Sequence, residues 1–150
     1  MRAFLLAAMA AMMTFAASAV AQAQDRYQTQ RVVYHINSPG GEGDGYYRAS
    51  MRNVQNHINA VGAENLELAV VMHGNGIGLV ANAVENTELQ TVIASLKGQG
   101  VSFLVCANTL SGRGIDYATQ LYDVWEADIV PSGVAELSHL QAQGYTYIHP

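Results

Sequence analysis

The sequence predicts an α/β fold, a three-layer α/β/α sandwich around a parallel sheet of about five strands. Three observations carry that prediction. Short, nearly all-apolar runs rich in β-branched residues recur along the chain, helical patterns of ten or more residues separate them, and turn-forming residues close each run.

The first strand is Arg31 to Ile36, RVVYHI, ended by the turn-forming NSPGGEGDG. The first helix follows: Tyr47, Met51, Val54, Ile58 and Val61 recur at steps of four and three, with Arg48, Arg52, Gln55 and Asn59 on the other side. Asp44 is suited to cap its start, and Gly62 follows its last apolar position. Leu66 to Met72, LELAVVM, is the second strand, and a helix is expected over Thr87 to Lys97 with Leu89, Val92, Ile93 and Leu96 inward. Val101 to Val105 forms the third strand. Helical regions at Asp116 to Tyr122 and Gly133 to Gln143, with weaker strand signals at Asp128 to Val130 and Tyr145 to Ile148, complete the alternation.

The N-terminus has a different character. Arg2, an apolar run from Ala3 to Ala17 and small residues around Ala19 to Ala23 follow the order of a secretory signal peptide. No basic stop-transfer cluster comes after it, so residues 1–23 are expected to be removed rather than to anchor the chain in a membrane. Residues 24–150 are then one domain, with the periplasm as the expected location. Removing Arg2 leaves six of the seven basic residues against all twelve acidic ones, and no basic residues cluster. Nucleic acid and anionic membrane surfaces are therefore poor partners.

In open parallel sheets, ligands bind beyond the carboxyl ends of the strands, and three turns lie there. The first, from Asn37 to Gly45, carries Glu42 and Asp44 and no lysine, and its glycines match neither a Walker loop nor a dinucleotide fingerprint. It is expected to be a mobile surface loop or lid; two carboxylates do not supply the ligand series of a calcium loop. The second turn, MHGNGIG, places His73 after the second strand, as a general base, an ion-pair partner for a thiolate, or only a polar residue ending a strand. Its glycines indicate that the backbone passes close to another chain or a small ligand.

The third turn holds Cys106, the only cysteine of the chain. An unpaired thiol in an oxidising compartment is buried, paired with another molecule, or used. Asn108 and Thr109 are good helix caps, so the segment from Leu110 onward is expected to begin a helix or turn whose free amides stabilise a thiolate. Free cysteine is equally at home as a small buried hydrophobe. Arg113 follows closely, either to hold an anion or as an exposed loop arginine. The five histidines show no i,i+4 pair and there is no CxxC, so no metal site is expected, and no GxSxG supplies a serine nucleophile.

With these residues in view, the chain resembles the DsrE/DsrF-like (DsrEFH-like) family. The resemblance rests on the first strand and helix ending near Gly62, on VVMHGNGIGLV, on LKGQGVSFLVCANTL, and on the tail VPSGVAELSHLQAQGYTYIHP, four segments in matching order and spacing. It implies a parallel five-stranded sheet, assembly into homotrimers or homohexamers, and Cys106 near a cleft that neighbouring chains help to form. In the sulfur-relay members, the cysteine at this position accepts sulfur as a persulfide and passes it on, and His73 with Gly74 matches the family's His-Gly turn. Those relay proteins are cytoplasmic, whereas this chain reads as exported.

The expected site is therefore Cys106 and His73 as the reacting pair, lined by Gly74, Asn75, Gly76, Asn108, Thr109 and Arg113, without a metal or a cofactor. Its partner would be a sulfur donor or acceptor protein or a small sulfur compound. The competing reading is a non-catalytic oligomeric binding protein in which Cys106 is packed. A flavin or nucleotide binder follows only from the α/β architecture and is disfavoured by the acidic first loop.

Overall fold

The computed structural model describes residues 26–150; the expected signal peptide lies outside the described residues. Five strands, β1 (Gln30–Ile36), β2 (Leu66–Met72), β3 (Ser102–Cys106), β4 (Ile129–Val130) and β5 (Thr146–Ile148), form one sheet in the order β4-β3-β2-β1-β5. Every pairing is parallel. The helices are α1 (Gly45–Val61), α2 (Gly78–Asn82), α3 (Thr87–Gly98), α4 (Ala107–Arg113), α5 (Tyr117–Gln120) and α6 (Gly133–Ala142). No described helix is long and apolar enough to cross a membrane.

Side chains alternate across a strand, so each strand contributes to two cores. Val32, Tyr34 and Ile36 of β1, Leu68, Val70 and Met72 of β2, and Phe103 and Val105 of β3 point to one face, where Met51, Val54 and Ile58 of α1 and Leu89, Ile93 and Leu96 of α3 cover them. Val33, Ala69 and Val71 point to the other face and meet Leu137 and Leu140 of α6. The sandwich has its three layers, the second thin.

Several local expectations change. Asp44 does not cap α1 through its side chain. Its carboxylate accepts from Asn82 Nδ2 at 2.7 Å and Asn86 Nδ2 at 3.0 Å, which fastens the first loop to the neck between α2 and α3 instead of leaving it as a free lid. Asn86 in turn caps α3, accepting from the amides of Glu88 and Leu89. The region Asp116 to Tyr122 yields only the single turn of α5, begun by Asp116.

The turn after β2 is helical: a 3-10 turn over Gly74–Ile77 runs directly into α2. The close approach its glycines imply is to this same chain. A Cβ at Gly76 would lie 1.9 Å from the Ile36 carbonyl oxygen, and one at Gly78 would lie 2.3 Å from the Tyr47 hydroxyl. Both glycines are thus explained by packing of this turn onto β1 and α1.

Candidate functional site

The carboxyl end of β3 feeds α4, which packs through Leu110 on the first face, and the carboxyl end of β4 feeds α6 on the second. The chain parts in opposite directions there, the geometry that opens a crevice in a parallel sheet. Cys106 lies at that parting. Met72 is in register with Val105, so His73 and Cys106 each lie one residue beyond a paired position. Gly133, first residue of α6, sits over both: a Cβ there would lie 3.0 Å from the His73 Cβ and 3.3 Å from the Cys106 Cβ. Glycine lets the start of α6 settle onto the sheet beside the sulfur.

Cys106 itself begins α4, so the helix starts at Ala107, earlier than the sequence predicts, and Asn108 and Thr109 lie in its first turn rather than capping it. That shift brings their free amides to the sulfur. Burial pushes the thiol up and is the largest single influence. Against it act the amide of Gly133, the hydroxyl and amide of Thr109 and the amide of Asn108, and their sum leaves Cys106 below the ordinary thiol value. The neutral thiol makes no capping hydrogen bond, so these groups act on the charged form. Thr109 is held in place because its Oγ1 accepts from the Gly74 amide at 3.0 Å. The sulfur is buried within the chain, with Cys106 4% exposed.

The remaining expected residues divide into two groups. Gly74, with φ of +55°, turns the backbone so that its amide reaches Thr109. Asn75 accepts from Arg113 Nη2 at 2.8 Å through its Oδ1, and its carbonyl accepts from the Tyr47 hydroxyl at 2.7 Å. Arg113 therefore ties α4 to the turn after β2 and remains exposed on its outer side. Gly76 is buried against β1, on the side away from Cys106, and packs rather than lining the crevice.

His73 turns to His35 rather than to the sulfur. Its Nε2 lies 2.6 Å from the Nε2 of His35, burial holds it below the ordinary histidine value, and it makes no hydrogen bond to the sulfur. His35 is the residue that the sequence analysis missed. It is 8% exposed, its Nδ1 lies 2.6 Å from the Tyr147 hydroxyl, and the His149 ring stands edge-on to it at 5.2 Å. Burial, then the neighbouring His73 and His149, push His35 down to about 4. His149 is anchored by Asn37, whose Oδ1 lies 3.1 Å from its Nε2.

The signal was present in the strand alternation. Val33 and His35 on β1, Val71 and His73 at β2, and Leu104 and Cys106 on β3 all share the α6 side, with Tyr147 in register with Val33. Treating these strands as apolar on both faces hid the row. Although three histidines gather here, no group of three or more His, Cys, Asp or Glu among the described residues is arranged to hold a metal ion. Two imidazole nitrogens 2.6 Å apart are at hydrogen-bonding distance, closer together than two nitrogens that each stand about 2.0–2.1 Å from a tetrahedral zinc ion.

Comparison with known proteins agrees with this architecture. The chain is 30% identical to MTH1491 from Methanobacterium thermoautotrophicum, a protein of unknown function, with a TM-score of 0.66 over 81% of this chain and 99% of that one. It shares its fold with the YchN protein from E. coli at 18% identity and a TM-score of 0.62, over 81% of this chain and 100% of the other. No curated protein matches the sequence. The model of the DsrE/DsrF-like family matches residues 7–150, and with a parallel five-stranded sheet that carries its cysteine at the end of β3, the chain belongs to the DsrE/DsrF-like family.

Proposed function

We propose that the protein handles sulfane sulfur through Cys106, accepting it as a persulfide and passing it to a thiol acceptor. The observation that carries this reading is the set of amides and the hydroxyl around the sulfur, from Gly133, Asn108 and Thr109, which favour the thiolate despite burial. The chemistry balances without an external oxidant. The Cys106 thiolate attacks the outer sulfur of a donor persulfide, the donor S–S bond breaks, and the electron pair leaves on the donor thiolate. One sulfur atom changes carrier. Family membership supports this class of chemistry; the signal-like N-terminal sequence supports work in the periplasm, and the family resemblance supports a homotrimer or homohexamer.

Intact-protein mass spectrometry after incubation with polysulfide or a persulfide donor tests the reading. The wild-type protein should gain one sulfur atom that a reductant removes, and Cys106→Ser should gain none. Equal adducts on both proteins would overturn it.

One observation favours a second reading, a non-catalytic binding protein: Cys106 is almost wholly covered within the chain. That reading requires a thiol that resists iodoacetamide in the native protein and reacts only after unfolding. Fast native labelling would exclude it.

A further inference from the structure

We propose that Tyr147, His35 and His73 form a proton relay between solvent and the sulfur chemistry at Cys106. The proposal rests on the sulfur-handling reading above and adds residues to it. Its basis is a row of two short contacts, the Tyr147 hydroxyl at 2.6 Å from His35 Nδ1 and His35 Nε2 at 2.6 Å from His73 Nε2, that ends where His73 and Cys106 both lie under Gly133. The outer end is open, since Tyr147 is 41% exposed, whereas His35 is buried among apolar strands.

Both nitrogens of His35 are engaged, and that constrains the tautomers. In one order, the tyrosine hydroxyl donates to His35 Nδ1, His35 Nε2–H donates to His73 Nε2, and His73 carries its proton on Nδ1. In the other, every bond is reversed: His73 Nε2–H donates to His35, and His35 Nδ1–H donates to the tyrosine oxygen. The two orders differ by the movement of one proton along the row. A histidine buried only for packing needs partners but no second order, and an apolar residue would fill its place at lower cost.

The His73 Nδ1 has no hydrogen-bond partner among the described residues, so it is the end from which a proton is delivered. When the donor thiolate leaves, it takes the proton from His73 Nδ1. His73 Nε2 takes one from His35 Nε2, His35 Nδ1 takes one from Tyr147, and Tyr147 recovers its proton from water. The products are the Cys106 persulfide and a neutral donor thiol. The return transfer runs the row backwards. His35 and Tyr147 are positioning residues here, acting through His73. The titratable groups facing the two rings are Tyr147 and His149 at the C-terminal end and Cys106 from β3, while α6 presents uncharged Gly133.

The test compares wild type, Tyr147→Phe and His35→Gln. Sulfur loading from a persulfide donor is followed by rapid-quench mass spectrometry across pH, together with iodoacetamide kinetics. Tyr147 lies on an edge strand, so its variant keeps the fold even where the substitution of buried His35 loosens it. Both variants should load about 10-fold or more slowly, in line with the loss of a positioned proton donor. The alkylation midpoint of Cys106 should stay unchanged, and added imidazole should restore much of the rate. Nitrogen-15 spectra of wild-type imidazoles should show one proton shared between His35 and His73. Loading at the wild-type rate in both variants, or spectra with no shared proton, overturns the relay alone. No sulfur on wild-type Cys106 overturns the sulfur-handling reading and the relay together.

Discussion

The two faces of the sheet are built from the same strands, yet they are made for different purposes. The face under α1 and α3 is apolar from Val32 of β1 to Val105 of β3, with Ile36, Met72 and Phe103, and Leu89 of α3 above them, buried. The face under α6 has a shorter apolar patch, Val33, Ala69, Val71, Leu137 and Leu140, and toward the carboxyl edge it gives way to His35, His73, Cys106 and Tyr147. The first face supplies stability through continuous burial. The second can hold polar groups near solvent because, among the described residues, the ten-residue α6 alone covers it. The candidate site occupies the part of the sheet where the core is thinnest.

Substitutions on the two faces should separate these roles. The largest effect is expected from Phe103→Ala, which opens a cavity in the thick layer and should lower unfolding free energy by about 3–5 kcal/mol in urea titrations. Cys106 should alkylate in that variant with an unchanged pH midpoint. A comparable loss from Leu137→Ala would erase the distinction between the faces. Gly76→Ala comes next: its Cβ would meet the Ile36 carbonyl, so the turn after β2 must move, at about 1–3 kcal/mol.

Acidification should act on the polar row. An unfolded histidine titrates near 6.5, whereas His35 in the folded chain titrates at about 4, so between those values the unfolded chain binds more protons. The stabilisation from keeping His35 neutral is complete above 6.5 and is lost as pH falls toward 4; His73, shifted the same way, adds to it. Urea midpoints should therefore fall across that window in wild type and fall less in His35→Gln. An identical pH dependence in the two proteins would show that the row carries no linkage.

The smallest effects belong to the sulfur's own surroundings. Thr109→Val removes the hydroxyl that faces Cys106 and leaves the Gly74 amide without its acceptor, at about 1 kcal/mol. Its distinctive readout is an upward shift of the Cys106 alkylation midpoint. Gly133→Ala should shift that midpoint in the same direction, because the added methyl must push the start of α6 off His73 and Cys106 by a few tenths of an ångström. Midpoints that stay at the wild-type position in both variants would remove amide and hydroxyl stabilisation as the reason for a low thiol pKa.

The alternation of strands and helices, the helix faces and the place of Cys106 at a strand end are all legible along the chain. These follow from local periodicity, and the structure keeps them within a residue or two for the long elements. α1 spans Gly45–Val61 and α3 Thr87–Gly98, close to the apolar positions that predict them. The short pieces were less legible. Asp44 has a capping residue's chemistry, but two carboxamides from another segment compete for its carboxylate, and no local pattern reveals that competition.

Membership of the site depends on how the strands are ordered in space. His73 follows β2, His35 belongs to β1, and Tyr147 and His149 come from the end of the chain, more than a hundred residues beyond His35 in sequence. Parallel register and a shared sheet face bring them together, and the return of the chain through α6 to β5 delivers the last two beside β1. Which neighbour a histidine finds is set by strand order, a long-range property. That is why Cys106 and His73 were legible as residues, while His35, Tyr147 and His149 were not.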